Sequence, residues 1–537
     1  MDSNGAKGLL QLPPEVLLLV LGMVDPRDLI RLRLTCRRLQ KLTYDHAVWV
    51  SKLNEQAAYL PLPPDILHQR EHDKHLLTFS ENSIESTVLK GQRICDAWPR
   101  ARLKTPIKLK DTDGRLMWIG LNLVADRWLV ATYHEGIIHI YDTKQGSPVL
   151  QRTVDLQEKG WTSFSVGIDP TEKRLIIALC LSHPPYRIHI YQIELLAVNQ
   201  AVSLIRIIIL PHYKIIQALD IPNRLVIVST AASVTTLKWD EDYDPEARDA
   251  TFNVNAEDEG GWWDGVIGVC LLGSYILVHK TRSLHVRQYK DRCGSALKHK
   301  FTLSFKQVSF SASSKSTNKL SGTTVYEVST FAYDVIQGLF QFNIKLTVPE
   351  SFGVPPSLDV QLTSVYPLAL GVIQPIASSQ SAPHPSPSVS SPDFSPSPSF
   401  KHTHATRASD TSSIVVHPAN PAADTDYRSR GFLSTQCMGP QGKRGIWVER
   451  QRSGTVRDLQ VWFREPSEPS SSAERALSEP STAEFPLPVM EIERRVIYTL
   501  QSYDLRDDIL ISTFNELNGT IYLGHRSGYI SVIALEC

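Results

Sequence analysis

Apolar and polar residues alternate in two different ways along this chain. Over residues 1–54 the spacing is helical. Pro14 suits the first turn of a helix, where its missing N–H costs nothing, and Glu15-Val16-Leu17-Leu18-Leu19-Val20-Leu21 continues it. Asp25-Pro26 repeats the logic, an N-cap acceptor followed by proline at the first helical position. Leu29, Ile30, Leu32 and Leu34 supply the next apolar stretch. Thr35 is placed to cap a third helix through Cys36, Leu39 and Leu42, and Trp49 and Leu53 belong to a fourth. Residues 55–105 read as a helical connector. After a proline-rich turn at 61–64, residues 82–98 carry Ile84, Val88, Leu89, Ile94 and Trp98 at helical spacing.

From residue 106 to 537 the pattern changes to short β-rich runs broken by turns. Two columns recur there in step. One reads Arg127-Trp128-Leu129-Val130, Arg174-Leu175-Ile176-Ile177, Arg224-Leu225-Val226-Ile227 and Ser274-Tyr275-Ile276-Leu277. The other reads Ile138-His139-Ile140-Tyr141-Asp142, Ile188-His189-Ile190-Tyr191, Leu237-Lys238-Trp239-Asp240 and Leu284-His285-Val286-Arg287-Gln288-Tyr289. A period of about 50 residues with this texture suits a propeller blade of four antiparallel strands. Residues 325–346 read as a fifth blade, 433–462 as part of a sixth, and 496–535 as the end of the array. The expected fold is a small all-α unit followed by an all-β propeller of six or seven blades, seven favoured. The strand around Ile107 to Leu109 is placed to pair with the last blade and close the ring, which removes an open sheet edge. Residues 377–425 are dominated by serine and proline and cannot bury enough apolar surface to offset chain entropy, so disorder is expected. Residues 465–488 read as a shorter Ser/Glu/Pro-rich loop.

Composition narrows the class. Lysine plus arginine and aspartate plus glutamate are both 56, for a formal net charge of zero. That gives no support to nucleic acid or a membrane surface as the main partner. Seven widely spaced cysteines include no CxxC pair, so no zinc site or redox motif is expected, and free thiols suit a reducing compartment. The apolar run from Leu9 to Val24 contains Pro13, Pro14 and Glu15 and lacks a basic leader, which argues against a signal peptide. The run from Gly265 to Val278 is too short to cross a bilayer. The expected location is the cytoplasm, the nucleus or both.

The N-terminal motif is the sharpest signal. Leu12-Pro13-Pro14-Glu15-Val16-Leu17, Asp25-Pro26-Arg27-Asp28-Leu29-Ile30, Thr35-Cys36-Arg37-Arg38-Leu39 and Val48-Trp49 resemble the F-box family in order and spacing. The chain departs from that family at Thr35, where valine is common, and at Leu39-Gln40, where a tryptophan often follows. The resemblance implies a three-helix motif that docks on the Skp-type adaptor of a cullin–RING ubiquitin ligase. Position by position, it implies adaptor contacts at Leu12, Pro13, Val16, Leu17, Ile30, Cys36, Arg37 and Trp49. Physical chemistry agrees: a unit this small buries little core alone, yet Leu17 to Leu21 places apolar side chains all round a helix, which demands burial on more than one side. The β-rich region is similar to WD-repeat proteins through Tyr141-Asp142 and Trp239-Asp240. In F-box proteins such a C-terminal repeat domain generally selects a protein target.

Other candidates are weaker. No Walker loop, GxSxG elbow or HExxH motif is present, and neither catalysis, a cofactor nor a metal is expected. His68, His72 and His75 would share one helix face, but in a charged stretch a solvated face is the simpler reading. Asp240, Glu241, Asp242 and Asp244 lack the glycine and final glutamate of a calcium loop. Trp262-Trp263 cannot both face inward on a strand, so one is a candidate anchor for a target, against the alternative that both pack between blades. Ser386, Ser391, Ser395 and Ser397 each precede proline and suit proline-directed phosphorylation. The expected function is a target-binding ligase subunit. A scaffold without a degradative role, and a propeller enzyme with a helical appendage, remain the alternatives.

Overall fold

A computed structural model of the chain describes residues 11–67, 81–98, 106–109, 116–144, 147–169, 173–195, 202–240, 251–253, 264–289, 296–318, 322–351, 354–368, 371–374, 415–418, 431–451, 454–465 and 489–534. The N-terminal unit contains α1 (Pro14–Met23), α2 (Pro26–Leu32), α3 (Arg37–Thr43) and α4 (His46–Gln56), followed by α5 (Glu81–Ala97). Proline opens α1 and α2, and the Asp25 carboxylate accepts the Arg27 N–H at 2.8 Å, as its N-cap position requires. The cap expected of Thr35 is not made. Its hydroxyl donates back to the Leu32 carbonyl, and Cys36 occupies the N-cap of α3 without a side-chain bond. Leu21, Leu29, Val48, Trp49, Leu53, Ile84 and Val88 form one core, so α5 completes the bundle that the first four helices begin. Arg33 ties the two parts together with a two-pronged pair to Glu85 at 2.7 and 2.6 Å.

The β-rich region is a ring of seven blades. The strands of the first blade are Trp118–Val124, Trp128–Tyr133, Ile137–Asp142 and Val149–Asp155, hydrogen-bonded in that order. The second comprises Trp161–Ile168, Arg174–Leu181, Arg187–Glu194 and Val202–Ile209; the third, Ile215–Asp220, Leu225–Ser229, Ser233–Lys238 and Thr251–Asn253; the fourth, Val266–Leu272, Tyr275–Lys280, Ser283–Gln288 and Leu297–Lys300. The fifth runs Phe305–Phe310, Thr323–Asp334, Gly338–Pro349 and Ser357–Pro367. The stretch 325–346 is therefore only its middle, and the blade begins some way earlier in the chain. The sixth is Phe432–Met438, Arg444–Arg450, Val456–Phe463 and Val496–Gln501. Residues 496–501 thus belong to the sixth blade and not to the end of the array. They pair with Val456–Phe463 across the intervening loop.

The seventh blade consists of Ile509–Phe514, Ile521–His525 and Ile530–Ile533, completed from the other end of the domain by Ile107–Leu109. Ile107 lies opposite Val532 and Leu109 opposite Ile530, so the ring is closed by pairing early chain with late chain. The first strands of all seven blades also touch in sequence round the centre, the seventh meeting the first. Each of these inner strands carries a register shift near its start, at 118/120, 161/163, 216/218, 266/268, 305/307, 433/435 and 509/511. A bulge increases local twist, and its repetition bends every blade in the same way at the crowded centre. Within the Ser/Pro-rich segment the structure describes Val415–Pro418, a strand paired with Gly371–Gln374 where none was expected. The rest of 377–425, and Ser386, Ser391, Ser395 and Ser397 with it, lies outside the described residues, as do 466–488.

The two sequence columns are the second and third strands. Their ends share an electrostatic use in the first three blades. Arg127 Nη2 bonds Asp142 Oδ2 at 2.6 Å, Arg174 meets Glu194 at 3.5 Å, and Arg224 meets Asp240 at 3.4 Å. In each case the arginine at the head of a second strand pins the acid at the tail of the third. The hydrogen bonds from Arg127 hold the Asp142 carboxyl below the usual carboxylate range.

Candidate functional site

The helical unit is seated on one face of the ring. In an antiparallel blade, successive turns alternate between the two faces. The turn joining the first two strands of the sixth blade carries Gln441 and Lys443. Gln441 accepts the Leu62 N–H at 2.8 Å and donates to the Leu62 carbonyl at 2.6 Å, and Lys443 Nζ donates to the Ala58 carbonyl at 2.7 Å. Trp98, just past α5, is wholly buried between the sixth and seventh blades, with its ring 5.7 Å from that of Phe514 and the Arg444 guanidinium 5.0 Å away. Glu516 stiffens this seat by accepting the N–H groups of Gln441, Lys443 and Arg444 at 2.6, 2.7 and 2.9 Å. Burial pushes its carboxyl up, against those three donors, which favour the charged form.

With its inner side committed to this packing, the helical unit keeps an uncovered apolar face. Leu17 and Leu21 of α1 point into the core. On the other side Val16 is 39 %, Leu19 70 % and Met23 85 % exposed, and Leu34 beyond α2 is 87 % exposed. Val16, Leu19 and Met23 stand at i, i+3 and i+7, one stripe of a helix. Beside the stripe α1, α2 and α3 enclose an open groove of about 420 Å³ lined by Leu17, Val20, Leu21, Val24, Leu32 and Leu39. Asp28, Arg31 and Thr35 form its polar edge. Arg37, Arg38 and Lys41 on α3 are exposed, and Arg38 donates to the Leu12 carbonyl, which fixes the segment leading into α1.

The residues singled out from the sequence fall into two groups. Pro13, Val16 and Arg37 are exposed, and Leu12, Ile30 and Cys36 are half-buried, Ile30 packed against the helical core. Leu17 and Trp49 are buried at 1 % and 0 % exposure. Trp49 donates its indole N–H to the Thr43 carbonyl and packs against Arg33, so its place is in the core that shapes the face and not on the face itself. Leu19, Met23 and Leu34 are exposed apolar residues that the motif does not single out. The helical period of α1 relative to the buried Leu17 and Leu21 is the signal that places Leu19 and Met23 outward.

Target-binding candidates are sparser. Trp262 and Trp263 lie outside the described residues, in the connection between the third and fourth blades. The neighbouring Asp264 is a buried structural anchor, accepting from Ser283 Oγ at 2.6 Å and the Arg282 N–H at 2.7 Å, with Lys280 Nζ at 2.9 Å. His68, His72, His75, Glu241, Asp242 and Asp244 are likewise outside the described residues. Among the described residues no group of three or more His, Cys, Asp or Glu side chains could hold a metal ion, and no helix is long and apolar enough to cross a membrane.

Comparison with known proteins agrees on the N-terminal unit. Residues 9–54 match the family model described as F-box-like. Among solved structures, the β-propeller domain of Cps50 (Swd1) from Myceliophteria thermophila is 8 % identical, with 80 % of this chain and 99 % of that one covered and a TM-score of 0.43. The WD40 domain of SCAP from fission yeast is 8 % identical, covering 81 % and 98 %, with a TM-score of 0.39. The C-terminal WD40 domain of Sif2 is 7 % identical, covering 81 % and 99 %, with a TM-score of 0.38. At such values the blade count and the closure stand on the strand pairing itself. The chain thus carries an F-box-like domain at residues 9–54, seated on a seven-bladed β-propeller.

Proposed function

We propose that this chain is the target-binding subunit of a Skp–cullin–F-box ubiquitin ligase. The observation that carries the proposal is the stripe of Val16, Leu19 and Met23 beside an apolar groove, left uncovered by a domain whose core is otherwise complete. A contiguous apolar patch rimmed by polar residues marks a protein-binding surface. The polar edge here carries both signs, at Asp28 and Arg31, beside Thr35. Leu12, Pro13, Val16, Ile30, Cys36 and Arg37, with Leu19, Met23 and Leu34, make up the proposed adaptor contact. Leu17 and Trp49 support it from beneath.

In this reading the adaptor brings a cullin–RING core, and the propeller holds a protein target by a ring face away from the helical unit. The chain's own part is binding, which raises the local concentration of target and ubiquitin-charged enzyme. Such a role belongs in the cytoplasm or nucleus. Affinity purification from cells with the proteasome blocked tests it: adaptor and cullin should be recovered together with a target that accumulates when the chain is removed. Recovery of the adaptor with no such target would leave a scaffold role instead. Recovery of neither would overturn the proposal.

A further inference from the structure

We propose that the outer strand of the second blade, Val202–Ile209, is a self-association edge through which two copies of this chain pair antiparallel. This inference is independent of the proposed ligase role. Among the described residues the strand lies at the open end of its sheet, bonded on one side only, to Arg187–Glu194. It is apolar and uncovered: Val202 is 37 %, Leu204 46 %, Ile205 41 %, Ile207 40 % and Ile209 64 % exposed. An open edge offers a row of unpaired N–H and C=O groups, and proteins ordinarily blunt it by shortening, charging or covering it.

Five of the other six outer strands follow that rule among the described residues. Val149–Asp155 of the first blade carries Arg152 and Asp155, and Leu297–Lys300 of the fourth carries Lys298 and Lys300. Thr251–Asn253 and Ile107–Leu109 are three residues each. Ser357–Pro367 is partly covered by Met490–Glu491, which pairs with it in parallel. The exception, Val496–Gln501, is uncharged but only six residues long, and Val496 is its one exposed large apolar side chain. Only the second blade presents an eight-residue edge with one charge, Arg206. Its bulge, at Ile205, lies ahead of the run Arg206–Ile209.

Open main-chain groups call for an extended strand as occupant, and the chain's own sequence fits. A two-fold axis at Ile208 sets Ile207 against Ile209 of the second copy, and Arg206 against Leu210. Ile207 and Ile209 are two apart and share a face, so four exposed isoleucines meet as cross-strand pairs, and no like charges are opposed. The net charge of zero removes long-range repulsion between copies.

Light scattering coupled to size exclusion, run on the full chain over a dilution series, tests the pairing. Three proteins are compared: the parent chain, Ile207→Lys/Ile209→Lys, and Leu19→Lys as a control for the apolar face of α1. Hydrogen exchange of amides 202–209 in the parent chain is followed at high and low concentration. The expected result is twice the mass of one chain for the parent and for Leu19→Lys, and a twofold drop to one copy for the isoleucine pair with its melting curve unchanged. Amides 202–209 should gain protection at high concentration. A parent chain that has the mass of one copy throughout would overturn the proposal. So would an isoleucine variant that keeps two copies, a Leu19→Lys variant that alone becomes monomeric, or exchange at 202–209 that ignores concentration. The exchange readout decides the matter even if the lysine variant does not fold.

Discussion

Gln441 holds Leu62 by both main-chain groups, accepting its N–H at 2.8 Å and donating to its carbonyl at 2.6 Å. A side-chain amide that copies the pairing of a β-strand makes the connector part of the propeller surface. The same seat is occupied by Trp98, and together they fix where the F-box-like domain stands relative to the ring.

Trp98→Ala should therefore weaken the propeller as well as the connector. Removing a fully buried tryptophan costs about 3–5 kcal/mol through lost transfer energy and the cavity left behind. Denaturant unfolding of the full chain should show the loss. Gln441→Ala should cost less, on the order of 1 kcal/mol, while making the peptide near Leu62 more susceptible to protease. Unchanged unfolding in Trp98→Ala would mean that α5 does not dock as described.

Gly120 lies on the inner strand of the first blade, where an added Cβ would stand 1.9 Å from a ring carbon of Phe164 in the second blade. Gly120→Ala is expected to lower stability by about 1–3 kcal/mol through overpacking at the centre of the ring. Gly120→Ala combined with Phe164→Leu should recover part of the loss, because the smaller side chain makes room. Thermal melts of the single and double variants measure both effects.

Two buried histidines give the propeller an acid-sensitive limb. Burial pushes the pKa of His279 and of His525 down to about 4. Each is neutral in the fold and titrates near 6.5 once unfolded. A depressed folded pKa contributes stability that is present above the unfolded value and is lost as pH falls toward the folded one. Stability should therefore fall between about pH 6.5 and pH 4, by on the order of 2–3 kcal/mol for each histidine. Urea unfolding across that range should show the slope, and His525→Gln should reduce it.

The propeller was legible in the sequence where side chains alternate simply. Second and third strands lie between two others, so residues such as Leu129 and Ile140 repeat from blade to blade. First strands were harder to recognise because each carries a bulge, and in Trp118–Val124, Trp161–Ile168 and Val266–Leu272 a glycine also breaks the period. Outer strands are set by edge exposure and share no composition: Leu297–Lys300 is half lysine, while Val202–Ile209 is mostly apolar. Val496–Gln501 was misplaced because its pairing partner lies more than thirty residues earlier, beyond an inserted loop. In the F-box-like domain the motif was legible over its whole length, but sequence alone could not tell that Trp49 faces inward. That depends on α5 arriving to enclose it.

The most direct measurement is adaptor binding by the full chain with Leu19→Lys and Met23→Lys combined. Both side chains are exposed, so the variant should melt with the parent, within about 0.5 kcal/mol. Placing two charges in an apolar contact should weaken binding of a purified Skp-type adaptor by more than tenfold, or about 1.4 kcal/mol. A folded variant that holds the adaptor as tightly as the parent chain would contradict the proposed docking face, and a parent chain that does not bind the adaptor would contradict the function.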